Sequence, residues 1–166
     1  MKIFKPMLFS ILLIFAWVAP QAALAQALVQ PNSNHEKLLA SDDPALRANK
    51  RLVYDFWREV FESGQIAAAD KYIVESYIQH NPYVPSGRAA FTGFLARRVP
   101  TPKAIEQRVQ APLVAITAEG DLVILSFLRE LPEPKDATKK YTTTWFDMFR
   151  IENGMIAEHW DGAIKQ

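Results

Sequence analysis

Tyr-Thr-Thr-Thr-Trp-Phe-Asp-Met-Phe-Arg-Ile-Glu-Asn-Gly-Met-Ile-Ala-Glu-His-Trp-Asp, residues 141–161, reads as two strands around one turn. Glu152-Asn153-Gly154 is the turn, because asparagine and glycine tolerate the positive φ that a tight hairpin requires. Residues 140–151 and 155–164 are therefore expected as antiparallel neighbours. Alternation puts Tyr141, Thr143, Trp145, Asp147, Phe149 and Ile151 on one face, and Thr142, Thr144, Phe146, Met148 and Arg150 on the other. Asp147 thus stands on the more aromatic side. An ionised carboxylate in such company is costly unless paired or hydrogen-bonded, which makes Asp147 a candidate proton donor or acceptor. The plain alternative is an aspartate turned to solvent or capping a neighbouring backbone. On the second strand His159 shares a face with Ala157 and Asp161, while Ile156, Trp160 and Ile164 share the other.

Upstream, the chain continues as strands. Ile105 to Thr117 reads as one strand, or two broken at Pro112, where a bulge or edge position is expected. Glu119-Gly120-Asp121 is a hairpin turn, Leu122 to Leu131 an apolar strand, and Pro132 to Lys139 a charged connection. Further back the period changes. Asp42-Asp43-Pro44 is a helix start, and Leu46, Val53, Phe56, Trp57, Val60 and Phe61 recur at helical spacing until Gly64. Ile66 to Ile73 predicts a shorter second helix, Ser76 to His80 an extended segment stopped by Asn81-Pro82, and Arg88 to Val99 a third helix. Helices first and a meander of strands afterwards indicate an α+β domain over residues 44–166, with helices on one face of an antiparallel sheet.

The first residues read as a targeting signal. Lys2 and Lys5 precede an apolar run from Met7 to Val18, and Ala23-Leu24-Ala25 is a small-x-small cleavage site. Residues 1–25 are thus expected to be a cleaved leader for the general secretory route, giving a periplasmic or secreted product that no membrane span retains. Residues 26–43 read as a flexible linker, in which His35 has no assigned role. The 19 basic and 18 acidic residues nearly balance, which gives no electrostatic footprint for nucleic acid. Cysteine is absent, so thiol chemistry, cysteine-bound zinc and iron–sulfur clusters are excluded.

The order of Tyr77-Ile78-Gln79-His80-Asn81-Pro82, Gly87-Arg88, Phe146-Asp147-Met148-Phe149-Arg150-Ile151-Glu152-Asn153-Gly154 and Glu158-His159-Trp160-Asp161 resembles the SnoaL-like polyketide-cyclase branch of the nuclear-transport-factor-2-like superfamily. The match covers roughly Asn49 to Gly162. The resemblance implies a cone: three N-terminal helices packed on a strongly curved antiparallel sheet, enclosing an apolar cavity, with an outer sheet face that often forms a homodimer. In ketosteroid isomerase, a cousin, a protonated oxyanion-hole aspartate matches Asp147. That enzyme's base position is Asn81 here, and its oxyanion tyrosine, seven residues before a glycine, falls on Trp57. Neither residue can play the original part, since asparagine accepts no proton at neutral pH and tryptophan donates only through its indole nitrogen.

SnoaL-type cyclases resemble the chain better, and they close a ring by aldol condensation with an acid, polar helpers and no metal or cofactor. The resemblance implies Asp147 as the acid or base with His80 and His159 as catalytic partners. It further implies Trp57 and Asn81 as donors to an oxygen, and Phe91, Phe94, Trp145 and Phe149 as walls around a small apolar or aromatic ligand. The alternative reading of His159 is structural, lining the cavity or paired with Glu158 or Asp161. A metal site from His80, His159 and Asp147 has no local ligand spacing behind it, and none is expected. The function expected is a cofactor-free acid–base enzyme (aldol-type cyclase, isomerase or lyase) on a small apolar carbonyl compound. The alternative is a non-catalytic periplasmic small-molecule-binding or protein-interaction module of the same fold.

Overall fold

The computed structural model describes residues 27–165, so the leader expected over 1–25 lies outside the described residues. Helix α1, His35–Leu39, is capped by the Asn34 side chain, which accepts the Lys37 N–H. Helix α2, Pro44–Phe56, begins at Asp43, whose carboxylate accepts the N–H groups of Ala45 and Leu46. It runs on into a wider π-helical turn, Trp57–Glu62. That turn ends at Gly64, where φ is +69° and a Cβ would meet Val99 Cγ1 at 2.6 Å, so only glycine fits. The expected second helix is a 3₁₀ segment, Ile66–Lys71, and strand β1, Ile73–Gln79, follows it. Helix α3 is Arg88–Arg98. Strands β2 (Leu113–Glu119), β3 (Leu122–Glu133), β4 (Asp136–Glu152) and β5 (Met155–Asp161) complete the chain.

The five strands form one curved, open sheet in the order β1-β5-β4-β3-β2. The hairpins β2–β3, β3–β4 and β4–β5 are antiparallel, as expected, whereas β1 lies parallel to β5. Every pairing carries a register shift, one of them between Arg150 and Ile151, and such bulges bend a sheet. Rings from the helices fill the concave side: Phe56 lies 6.0 Å from Phe149 edge-on, and Phe91 lies 5.3 Å from Tyr77, centroid to centroid. Each such ring removes about 150–250 Å² from water, which makes this face the principal source of stability. The face of β4 follows the alternation: Phe149 is buried on the concave side and Phe146 is exposed on the other.

Three stretches differ from the reading of the sequence. Residues 105–112 form no strand; β2 starts only at Leu113, after Pro112, which has no N–H for a ladder. The connection expected over 132–139 shrinks to a short turn, because β3 and β4 continue pairing to Pro132 and Lys140 and again at Glu133 and Asp136. The stretch read as a flexible linker is partly built into the domain. Leu39 is 3% exposed within the core, and the Asn32 N–H donates to the Leu113 carbonyl.

A hydrogen-bonded chain holds α1 in place. The Val109 N–H donates to the Tyr54 hydroxyl oxygen (3.0 Å), and His35 Nδ1 lies 2.8 Å from the same hydroxyl. Burial first, and then the charge of Arg108, lower the His35 pKa from the ordinary 6.5, against the opposing pull of its hydrogen bond to the Asn32 backbone and of the Glu62 and Glu36 charges. A histidine whose folded value is lowered contributes stability that is complete above the unfolded value and is lost as pH falls through the folded one. Stability should therefore drop as pH falls below about 6.5. Thermal melts of the wild type and His35→Gln between pH 7.5 and 5 check this. The variant, whose amide can still bond to the Tyr54 hydroxyl, should show a shallower acid slope, and parallel slopes would refute the assignment.

Candidate active site

Phe56, Trp57 and Phe91 from the helices and Trp145 and Phe149 from β4 wall a cavity of about 410 Å³. That volume suits a small organic molecule. Six of its polar residues come from strand β1, the turn after it and the β4–β5 hairpin (Tyr77, Gln79, Asn81, Asp147, His159 and Asp161), and Arg98 and Arg129 line it from α3 and β3. Asp147 is 4% exposed and His159 is 7% exposed. Asp147 faces Asp161 across the β4–β5 ladder, and His159 faces Phe149.

The hydrogen bonds settle where the protons are. The Asn81 backbone N–H, a donor by necessity, reaches Gln79 Oε1 at 3.0 Å, which orients the Gln79 amide. His159 Nδ1 lies 2.8 Å from the same oxygen, so Nδ1 carries a hydrogen and donates. Nε2 of the same ring lies 3.0 Å from Asp147 Oδ1. That contact needs a second proton, on Nε2 as an imidazolium or on the carboxyl itself. The Asp147–His159 pair therefore holds one proton between its two facing atoms. Asp147 Oδ2 is buried and has no hydrogen-bond partner, which leaves it the free oxygen of the pair. An unpaired carboxylate oxygen in an apolar wall is costly to maintain, so a ligand proton that reached it would gain from the contact.

Gln79 Nε2 donates to the Tyr77 hydroxyl oxygen at 3.1 Å. The Tyr77 hydroxyl proton is then available to a ligand. Burial first, and then the charges of Asp147 and Asp161, push the Tyr77 phenol far above its ordinary value, so it remains a donor. Asp161 is held apart from the pair: Oδ2 accepts from Asn81 Nδ2 at 2.6 Å and Oδ1 from the Ala163 N–H at 2.8 Å.

A protein-family model for the SnoaL-like domain matches residues 53–159. The chain belongs to the SnoaL-like domain family. Among solved structures, this SnoaL-like domain is similar to a candidate polyketide cyclase from Acidithiobacillus ferrooxidans, with 20% identity and a TM-score of 0.50 over 74% of this chain and 89% of that one. It is also similar to a candidate polyketide cyclase from Xanthomonas campestris (22% identity, TM-score 0.47, 70% and 90% covered). An LEH-like epoxide hydrolase from M. tuberculosis is a third (16% identity, TM-score 0.49, 72% and 81% covered). These likenesses speak to the fold alone. No match is found among curated proteins.

In this SnoaL-like domain, Asp147, His159, Trp57, Asn81, Phe91, Phe94, Trp145 and Phe149 all lie on the cavity. His80 is not among the residues that line it. Its ring stacks on Trp160 (4.7 Å, 5° between planes), and its Nε2 reaches Glu158 at 3.1 Å. His80 and Arg150 together hold the Glu158 carboxyl below the usual range, His80 contributing most. The partner of His159 is Asp147 rather than Glu158 or Asp161. Two expected oxygen donors are already engaged: the Trp57 indole N–H donates to Glu62 Oε1 (3.2 Å), and the Asn81 amide to Asp161.

Tyr77, Gln79 and Asp161 were not singled out from the sequence. Tyr77 and Gln79 alternate on β1 with the same period that placed Asp147, and Asp161 shares the face of His159. Among the described residues, Asp147, His159 and Asp161 also offer ligand atoms all within 4.8 Å of one another. An imidazole with two carboxylates is a donor set for a divalent metal, with Asp161 in the place once considered for His80. A cation at Nε2 would displace the shared proton, so metal and proton are alternatives at the same atoms.

Proposed function

We propose that this SnoaL-like domain is an acid–base enzyme that enolises a small, largely apolar carbonyl compound. The observation that carries the reading is the 3.0 Å contact between Asp147 Oδ1 and His159 Nε2, beside a buried carboxylate oxygen without a hydrogen-bond partner. In the imidazolium–carboxylate form, Asp147 takes a proton from the carbon next to the carbonyl. The Tyr77 hydroxyl donates to the oxygen on which the enolate charge develops, within a site whose low dielectric strengthens that bond. The enolate carbon then attacks a second carbonyl, as in an aldol cyclisation, or recovers a proton elsewhere, as in an isomerisation. His159 holds Asp147 through Nε2 and is itself oriented by Gln79 through Nδ1.

Export through the general secretory route, to the periplasm or beyond, belongs to the same proposal and rests on Lys2, Lys5, the apolar run to Val18 and Ala23-Leu24-Ala25. So does a homodimer through the convex sheet face, where Phe146 is exposed.

The test is deuterium uptake. Aromatic methyl ketones incubated with the protein in D₂O should lose their α-proton NMR signals faster than in buffer, and the rate should saturate with ketone. Saturable binding with no exchange above buffer would favour the non-catalytic small-molecule-binding module instead.

A further inference from the structure

The cavity that holds the Asp147–His159 pair also reaches two guanidinium groups, those of Arg98 at the end of α3 and Arg129 on β3. Four of the nine arginines hold a carboxylate: Arg51 with Glu36, Arg58 with Asp55 and Glu59, Arg88 with Asp70, Arg150 with Glu152 and Glu158; of the other five, Arg98 and Arg129 are the two that line this cavity. Arg98 and Arg129 hold none among the described residues. Each instead lies over an aromatic ring of the cavity wall, Arg129 at 4.4 Å from the Trp145 centroid and Arg98 at 5.8 Å from that of Phe94. A guanidinium over a ring keeps its outward N–H donors free, and its fork matches a carboxylate.

The register locates Arg129 relative to the acid pair. Arg129 is paired with Thr143, and Asp147 with Leu125, so four residues separate the two positions along the strands. At the strand rise of about 3.3 Å per residue the separation is roughly 13 Å. The even spacing also keeps Arg129, Phe127 and Leu125 on the face of Trp145 and Asp147. One end of the cavity therefore carries Asp147 and Asp161, and Arg129 stands toward the other with Trp145 between, while Arg98 lines the same cavity from α3.

We infer that the cavity takes an organic carboxylate: an apolar, ring-bearing body roughly 10 Å long, with its anion on Arg98 and Arg129 and its reacting carbonyl at Asp147. The two acidic groups repel the anion from the deep end and the arginines draw it to the outer one, so charge sets which way round the ligand enters. This deepens the enolisation reading and relies on it only for the carbonyl; the anion site stands on the arginines alone.

The test measures binding and exchange separately. Binding of 6-acetyl-2-naphthoic acid, of its uncharged methyl ester, and of the shorter pair 4-acetylbenzoic acid and methyl ester is followed by equilibrium dialysis. The longer acid should bind at least tenfold tighter than its ester, the usual scale of a charge-assisted contact. Arg129→Gln and Arg98→Gln should each weaken the acid about tenfold and leave the ester unchanged, and the acid's advantage should shrink with added salt. Equal affinity for acid and ester, variants that weaken both alike, or binding of neither acid would overturn the inference. Exchange is scored on the same samples: a charge preference without exchange removes the enolisation reading and leaves the anion site standing. Both variants are at exposed positions, and a thermal melt confirms that each is folded.

Discussion

Asp147→Asn is expected to slow enolisation by about 10²–10⁴-fold, the usual contribution of a positioned general base. The substitution is close to isosteric, and the surrounding hydrogen bonds can be kept. With Nδ1 of His159 committed to Gln79, Nε2 has a lone pair, which the new amide can serve as a donor. The fold should accordingly stay within about 1 kcal/mol of the wild type, since a hydrogen bond is exchanged for a similar one. Ligand affinity should change little, because the apolar walls are untouched. The loss belongs in kcat and not in KM, since the proton acceptor acts in the transition state alone. Comparable exchange rates in the wild type and the variant would dispose of Asp147 as the base. A fall in affinity with unchanged kcat would leave it as a binding group only.

Glu62→Ala should produce the largest loss of stability, about 2–4 kcal/mol. Glu62 Oε1 accepts from the Trp57 indole (3.2 Å) and the Ala111 N–H (2.9 Å), while Oε2 accepts from the Gln110 N–H (2.9 Å). One carboxylate thus ties the irregular segment before β2 to the π-helical turn. Truncation leaves these donors without an acceptor and frees Trp57, which is stacked between Phe61 (4.3 Å) and Phe127 (4.7 Å). Ala111 and Pro112 line the cavity, so loosening the segment also loosens one of its walls. Urea unfolding and a melt would measure the effect, and at about 3–5 °C per kcal/mol the transition should fall by roughly 10 °C. Glu62→Gln retains one acceptor and should lose less than half as much. A shift under about 1 °C for the alanine variant would mean that the strap is held by something else.

The tie made by Glu62 illustrates why part of the fold was not legible. Residues 105–112 alternate well enough to suggest a strand, but side chains on a helix turn decide their path, and nothing local announces such partners. Leu39 offers the same lesson: two adjacent leucines in a polar stretch have no periodicity, yet Leu39 is buried and Leu38 packs against the core. The long hairpins were legible because their signal is local. The turn residues and the period of two lie within a dozen positions of each other.

What the sequence by itself determined is the family, the α+β order, and which residues of β4 and β5 share a face. Strand alternation is a property of the backbone, and Asp147 needed no partner strand to be placed beside Trp145 and Phe149. What only the tertiary structure decided is the company Asp147 keeps. Gln79 meets His159 across 80 positions of chain, a contact made by the parallel pairing of β1 with β5. That pairing brings Tyr77 and Gln79 to the cavity and turns His80 to Glu158 and Trp160 instead. Residue types along the chain specify what each position can do chemically. Which of them meet depends on how the strands are ordered, and that order is set by burial of the whole sheet face at once.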